Sequence, residues 1–590
     1  MRQHASRLRL FLAASGVVLS LMTGSGQVRE YIPVTDAILQ NPSPNDWLHF
    51  RRTYDHQGYS PLEQINKQNV HQLQLAWAWQ THPGMSEATP HVYNGMMFIN
   101  NPSGGVQALD AATGELIWDF ETPMVPVAGA RVASSVSSPR GNAYGPSRPI
   151  RNLALYGDKV YTGTDDTHGS LLTALDARTG KVMWQTKVGY GFSGGPVAIK
   201  GKILAGTQNC EEYKIDDPPC YIGAYDSETG EELWKTSTIA RPGEPGGDTW
   251  GDLPLEFRAG GDNWQAGSYD PKLNLTYWGT AQAKPWSPYQ RGTDGTTLYT
   301  SSTLALDVDT GKITWYYQHI PGEAFDQDET FERILVDYDG KQSSFSMGKI
   351  GILWELDRRT GAFRAAHDLG YQDQGTIDPK TGQLRYDPAR LPKPGVPISF
   401  CPNIGGVKTW RAMSYHPQTQ AFYIPLSLVC ATGTPPPPCT ERKIGQRCPS
   451  GFGRQTYSFH PKSPEGLGEF VAMDMKSGKI LWRHRRKTPS TMSALTTAGG
   501  LVVSADEDRY LYVHDVQTGK ILYQTRLPGV ADGSPSTYTV NGRQYLAIPV
   551  GTGSGGTWLV SPRTLLPDVK LPPWEEWPTA VYVFALPQQR

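Results

Sequence analysis

One phrase recurs along this chain: a small or apolar residue, Asp, two variable residues, Thr-Gly, three variable residues and then an aromatic plate. Its clearest copy runs from Asp307 to Trp315, and others run from Asp110 to Trp118, Asp176 to Trp184 and Asp226 to Trp234. The Asp474 to Trp482 copy carries Ser477 in place of Thr, and Asp515 leads to Tyr523. Asp357-Arg358-Arg359-Thr360-Gly361 has lost its Trp, which brings the copies to seven. Each copy has a physical reading. An apolar strand ends in Asp, whose carboxylate accepts from N–H groups of the turn. Gly tolerates the left-handed backbone the hairpin needs, and Trp then covers a neighbouring sheet. Such a hairpin cannot bury both faces alone, so its repetition predicts a propeller or a solenoid.

The two chain ends extend the pattern. Leu75-Ala76-Trp77-Ala78-Trp79 reads as a strand with Trp in the repeat position but no Asp-x-x-Thr-Gly before it. Ala580–Ala585 is a lone strand at the other end. Pairing the two closes a ring and removes both sheet edges. Seven turns plus this split blade predict an all-β, eight-bladed propeller of four-stranded antiparallel blades. Successive Asp positions are spaced by 66, 50, 81, 50, 117 and 41 residues. A bare blade needs roughly 40–45 residues, so the excess marks insertions. They fall at 120–150, 235–262, 270–300 and, largest, 365–460, a stretch that holds four cysteines and Pro435–Pro438. A single propeller domain over 27–590 is expected.

Net charge is -1, which implies no nucleic-acid partner and no anionic membrane surface. Arg2, Arg7 and Arg9, the apolar run Leu10 to Met22, and the small residues near Thr23–Gly26 read as a signal peptide over 1–26, with a membrane anchor as the alternative although the run is short of the roughly 20 residues a span needs. No other stretch is apolar enough to cross a bilayer, so a periplasmic protein is expected. Export leads to an oxidising compartment and paired cysteines. Cys210 lies close to Cys220 and Cys439 to Cys448, leaving Cys401 with Cys430; thiols free to bind a metal are the alternative. None of the six sits in a Cys-x-x-Cys-His array, so covalent c-type haem is not encoded here.

Several stretches outside the repeat carry chemistry. Phe325-Asp326-Gln327-Asp328-Glu329 places three acids in four residues, enough to hold a hard cation or supply a general base, or else to form a solvated acidic turn. Asn209-Cys210-Glu211-Glu212 is a second acidic stretch, pinned by Cys220. Gly260-Gly261-Asp262-Asn263-Trp264 presents an indole on which a flat ligand can stack, or which packs between blades. Trp278-Gly279-Thr280-Ala281-Gln282 and Lys284-Pro285-Trp286 complete the set.

With those residues in view, the chain resembles the pyrroloquinoline quinone (PQQ)-dependent alcohol dehydrogenases, the quinoprotein group of methanol and ethanol dehydrogenases. The resemblance rests on the phrases 59–70, 267–280, 304–318 and 351–358 and runs from about residue 45 to the end. It implies an eight-bladed propeller with PQQ and one metal ion near the axis. It also implies a small alcohol substrate and a separate electron acceptor, a cytochrome c or a membrane quinone, and leaves a homodimer open. Asp326 matches the catalytic base, and Glu211 the metal-binding glutamate. Trp264 matches the indole beneath the quinone. Glu87, Arg151, Ser193, Lys349 and Trp410 match positions around the quinone, and Cys401–Cys430 matches a disulfide of the family. The residue types suit a trianionic ligand and a Lewis-acid metal.

The chain also departs from the family pattern. Gln282 stands where the family has an Asn metal ligand, offering its carbonyl one methylene further out. The adjacent Cys-Cys pair is missing, and Arg131 to Arg148 is rich in Ser and Gly instead. Asp328 resembles the extra carboxylate of lanthanide-dependent members, or else faces solvent; calcium and a lanthanide both remain in play. Two other functions compete: a non-catalytic repeat scaffold, and a divergent quinoprotein acting on a sugar, polyol or polymeric alcohol.

Overall fold

The computed structural model describes residues 31–82, 86–101, 104–122, 149–166, 169–189, 191–208, 210, 220–445, 448–551, 564–570 and 578–588. The leader, Glu211 and the stretch 131–148 lie outside them.

The repeat turns do locally what their residues dictate. In the Asp226 copy, one carboxylate oxygen accepts from the N–H of Glu228 and of Thr229, both at 2.9 Å, and from the Thr229 hydroxyl at 3.1 Å. Gly230 then turns with φ 75°. A Cβ at Gly230 would lie 2.5 Å from the Trp184 ring, because the indole of the preceding sheet lies flat on the turn. The same docking joins Trp77 to Gly114, Trp118 to Gly180, Trp234 to Gly311, Trp315 to Gly361 and Trp482 to Gly519. Most of these indoles also donate to a carbonyl beside the next turn, as Trp118 does to Ala177 at 2.9 Å and Trp234 to Val308 at 3.0 Å. Where the Trp is lost, His367 lies on Gly478 in its place. The repeat is therefore a sheet-to-sheet fastener, and the burial of its indoles ties each sheet to the next.

Built this way, the protein is an all-β propeller. Among the described residues, eight sheets follow a four-stranded antiparallel plan, spanning 91–120, 154–188, 197–237, 268–318, 334–368, 414–486, 495–526 and 536–585. The last of these takes its outer strand from near the N-terminus: Gln74–Gln80 pairs antiparallel with Ala580–Ala585, Trp77 opposite Val583. The sheet at 495–526 gains a short parallel strand, Tyr59–Ser60. Among the described residues, no helix is long and apolar enough to cross a membrane.

The stretch 365–460 is not a single excursion. Phe363–Asp368, Ser414–His416 and Ala421–Ser427 are sheet strands inside or bordering it. Asp spacing overestimates the insertion because the phrase marks only the last hairpin of each sheet. The excursions proper carry a hairpin, Gly375–Ile377 with Leu384–Tyr386, and a three-stranded sheet of Ile398–Phe400, Val429–Gly433 and Thr456–Phe459. The hairpin turn Asp378-Pro379-Lys380-Thr381-Gly382 is a further copy of the phrase, with Asp378 accepting from Lys380 and Thr381 N–H at 2.8 and 2.9 Å. All six cysteines are bonded as Cys210–Cys220, Cys401–Cys430 and Cys439–Cys448, which excludes them as thiol ligands.

Candidate active site

The acidic stretch 326–329 is buried, not solvated. Asp326 is 6 % exposed, and Asp328 and Glu329 are fully covered. Burial of several carboxylates demands cations. Lys349 supplies one, its ammonium 3.0 Å from Asp326 and 2.5 Å from Asp328. Lys284 lies 3.9 Å from Asp326 on the other side. Burial pushes the Asp326 carboxyl up from its ordinary range; Lys349 pulls it back, while the charge of Asp328 adds to the rise. Burial likewise pushes the Lys349 ammonium down, but Asp326 and Asp328 together outweigh that and leave it above its usual value.

Gln282 completes this corner. Its backbone N–H donates to Asp328 at 3.3 Å and its side-chain amide donates to Asp326. The amide oxygen of Gln282 is buried and has no hydrogen-bond partner among the described residues. An orphaned oxygen beside two carboxylates fits a hard cation, which takes oxygen ligands of this kind. Glu211 lies outside the described residues. Its neighbour Cys210 is fixed, its N–H donating to Asp262 at 3.2 Å.

The second half of the site is an indole and guanidinium cluster. Trp264 is half-buried, and the Lys349 ammonium stands 5.2 Å over its ring. Its N–H is held by Thr330 at 3.0 Å and its carbonyl by Arg151 at 3.0 Å. Arg151 also donates to Ser193 at 2.8 Å, pairs with Glu87 at 2.6 Å and stacks 5.3 Å over Trp410. The expected positions Glu87, Arg151, Ser193, Trp264, Lys349 and Trp410 thus form one connected set with Asp326, Asp328 and Gln282. The flat indole, two guanidinium and ammonium groups and a hydroxyl suit a flat anionic ligand beside a metal.

The sequence reading missed part of the cluster. Arg411 stacks on the other approach to Trp410 at 4.6 Å and pairs with Asp532 at 3.0 Å. Burial raises the Asp532 carboxyl, Arg411 lowers it and Glu87 raises it again. Neither residue lies in a repeat or an acidic run, so only the folded chain brings them together.

The model of the PQQ-dependent glucose/ethanol/alcohol dehydrogenase family, β-propeller domain, matches residues 47–363 and 364–546. The chain belongs to that family. It is an oxidoreductase of the PQQ-dependent alcohol dehydrogenase type. Quinohemoprotein alcohol dehydrogenase ADH-IIG of Pseudomonas putida is 32 % identical over 593 residues, covering 94 % of this chain and 79 % of the relative. Quinoprotein alcohol dehydrogenase PedH of Pseudomonas putida is 30 % identical over 591 residues, covering 92 % of each. Among solved structures, a europium-containing methanol dehydrogenase matches with TM-score 0.81 at 26 % identity, covering 93 % of this chain and all of that one.

Proposed function

We propose that this quinoprotein oxidises an alcohol to an aldehyde or ketone in the periplasm, with Asp326 as general base. The observation that carries the reading is the buried convergence of Asp326, Asp328 and the unpaired Gln282 oxygen on one side of Lys349, with Trp264 on the other. The eight sheets are read as blades of one ring, closed where Gln74–Gln80 joins Ala580–Ala585. Asp326, Asp328, Gln282 and Glu211 would hold one calcium or lanthanide ion; Asp328 supplies the added negative charge that a trivalent ion favours. Bound there, PQQ would supply the hydride acceptor for alcohol oxidation and the metal ion would supply a Lewis acid. Asp326 takes the hydroxyl proton, and Lys349 sets the charge of that carboxylate against burial. Arg151 and Ser193 anchor carboxylates, and Trp264 supplies the stacking face. Electrons pass on to a separate cytochrome c or membrane quinone.

A scaffold has no use for the buried charges of Asp326, Asp328, Lys349 and Arg151 around one half-buried indole, which argues against the non-catalytic reading. The test is turnover with dye as acceptor, after adding PQQ with calcium or with a light lanthanide, over primary alcohols, polyols and sugars. Asp326→Asn is expected to keep the quinone and lose turnover by about 10³-fold. Normal rates in that variant would overturn the base assignment.

A further inference from the structure

Asp326 has a backbone conformation that its side chain disfavours. Its φ is 68°, in the left-handed region, although it is not glycine. For an L-residue this costs about 1–2 kcal/mol, so neighbouring contacts must hold it there. Two hydrogen bonds to one residue fix the backbone on either side of Asp326. A single carboxylate oxygen of Glu323 accepts from the N–H of Phe325 at 2.5 Å and from the N–H of Gln327 at 2.9 Å, the residues on either side of Asp326. The pair of amides forms a small anion-binding concavity, and Glu323 fills it from within the chain. While both flanking amides donate to Glu323, the Asp326 carboxylate itself meets Lys349 and Gln282.

Glu323 is itself locked. It is fully buried. The hydroxyl of Tyr386 donates to the same oxygen at 3.1 Å. Buried Arg291 donates to the Glu323 carbonyl at 2.9 Å and to that of Pro285 at 3.1 Å, tying the loop of Lys284 to the loop of Asp326. Tyr386 also lines a cavity of about 730 Å³ outside the central cluster, with Tyr316, Gln318 and Arg385 on its walls.

We infer that Glu323 is a positioning residue for catalysis: it bridges the amides flanking Asp326 and thereby aims that carboxylate at the alcohol site. The assignment rests on the reading of Asp326 as the base. Its signature differs from that of a packing residue. Glu323→Ala removes the acceptor and releases the turn. Glu323→Gln keeps a carbonyl in place for the two amides.

The experiment compares Glu323→Ala, Glu323→Gln and wild type, each reconstituted with PQQ and metal. Three quantities are read: kcat and KM for a primary alcohol, the affinity for PQQ by absorbance, and the crystallographic position of residue 326. For Glu323→Ala, kcat is expected to fall about 100-fold, the loss a misplaced catalytic group produces. PQQ affinity stays within about threefold, and residue 326 leaves the left-handed region. Glu323→Gln recovers kcat to within about tenfold of wild type because its acceptor remains. If Glu323→Ala does not fold, Glu323→Gln decides. A five- to tenfold kcat loss at unchanged PQQ affinity is then the expected result. Unchanged kcat in the folded variants, a parallel loss of PQQ affinity, or an Asp326 that does not move in folded Glu323→Ala would overturn the assignment. Absence of PQQ binding in wild type would instead strike the reading of the site, while the position of residue 326 still reports on Glu323.

Discussion

The same residue type, aspartate, is used in two opposite ways in this molecule. In the repeat turns it is half-buried or buried, and one carboxylate oxygen accepts from N–H groups of its own turn. At the centre, Asp326 and Asp328 are buried, draw little from their own backbone, and depend on Lys349. The turn donors hold Asp226 below its ordinary range, the Thr229 N–H foremost. In Asp176, Asp357 and Asp474 burial pushes upward, but hydrogen bonds from Arg178, from the Arg359 N–H and from Ser477 lead the groups that outweigh it; in Asp515 the Lys67 ammonium leads, with the turn N–H groups of Gln517 and Thr518 behind it. Burial drives Asp326 the other way. A carboxylate satisfied locally can only build structure. One whose charge is balanced by a distant lysine can exchange that partner for a metal or a proton, which is what a reaction centre requires.

Replacing the central cation should give the largest effect on stability. Lys349→Met leaves two buried carboxylates without their main partner and should cost the metal-free protein about 3–5 kcal/mol in urea unfolding at pH 8. A loss below about 1 kcal/mol would mean that the central carboxylates do not depend on it. Next is the staple of the excursion sheet. Cys401→Ser with Cys430→Ser opens a 29-residue separation and should cost about 3 kcal/mol, read as a lower unfolding midpoint. An unchanged midpoint would show that the excursion is held by packing alone.

Asp226→Ala, in a turn of the other kind, should cost only about 1 kcal/mol, since its hydrogen bonds trade against water. A cost near that of the lysine variant would erase the contrast between the two regions. The smallest effect concerns pH. The five turn aspartates have folded pKa values below the usual 3.8. Their contribution is therefore complete above that value and disappears as pH falls through the lower folded values. Melting temperature should fall below about pH 4, and less steeply in a variant carrying Asn at all five positions. Equal slopes would show that the turns do not titrate as described.

The same contrast explains what could be read from the sequence. The turns were legible because each is local: Asp110, Asp176 and Asp226 carry their partners within three residues. The exchange of Trp for His367 was not, since that ring docks on Gly478, in another sheet and more than a hundred residues away. The copy at Asp378 was legible in principle; it lies in an excursion, outside the blade spacing. The acids at 326–329 were visible as a run, but their burial was not, because Lys349 and Lys284 meet them only in the folded chain. Asp326, Asp328, Gln282, Trp264, Lys349, Arg151, Ser193, Glu87 and Trp410 were placed by resemblance, and the structure brings them into one cluster. Glu323, Arg291, Arg411 and Asp532 carry no motif. Arg291, Arg411 and Asp532 are each defined by a partner on a different loop or sheet, and Glu323 by two amides of its own loop together with Tyr386.

The proposed function requires that the Asp326 and Asp328 carboxylates and the Trp264 face together seat a metal and PQQ. The most direct measurement is the PQQ retained by the purified protein after gel filtration, read by its absorbance, with calcium, with a light lanthanide and with chelator. One equivalent retained with at least one metal, and none with chelator, is the expected result. No retention under any metal, or retention unaffected by chelator, would contradict it.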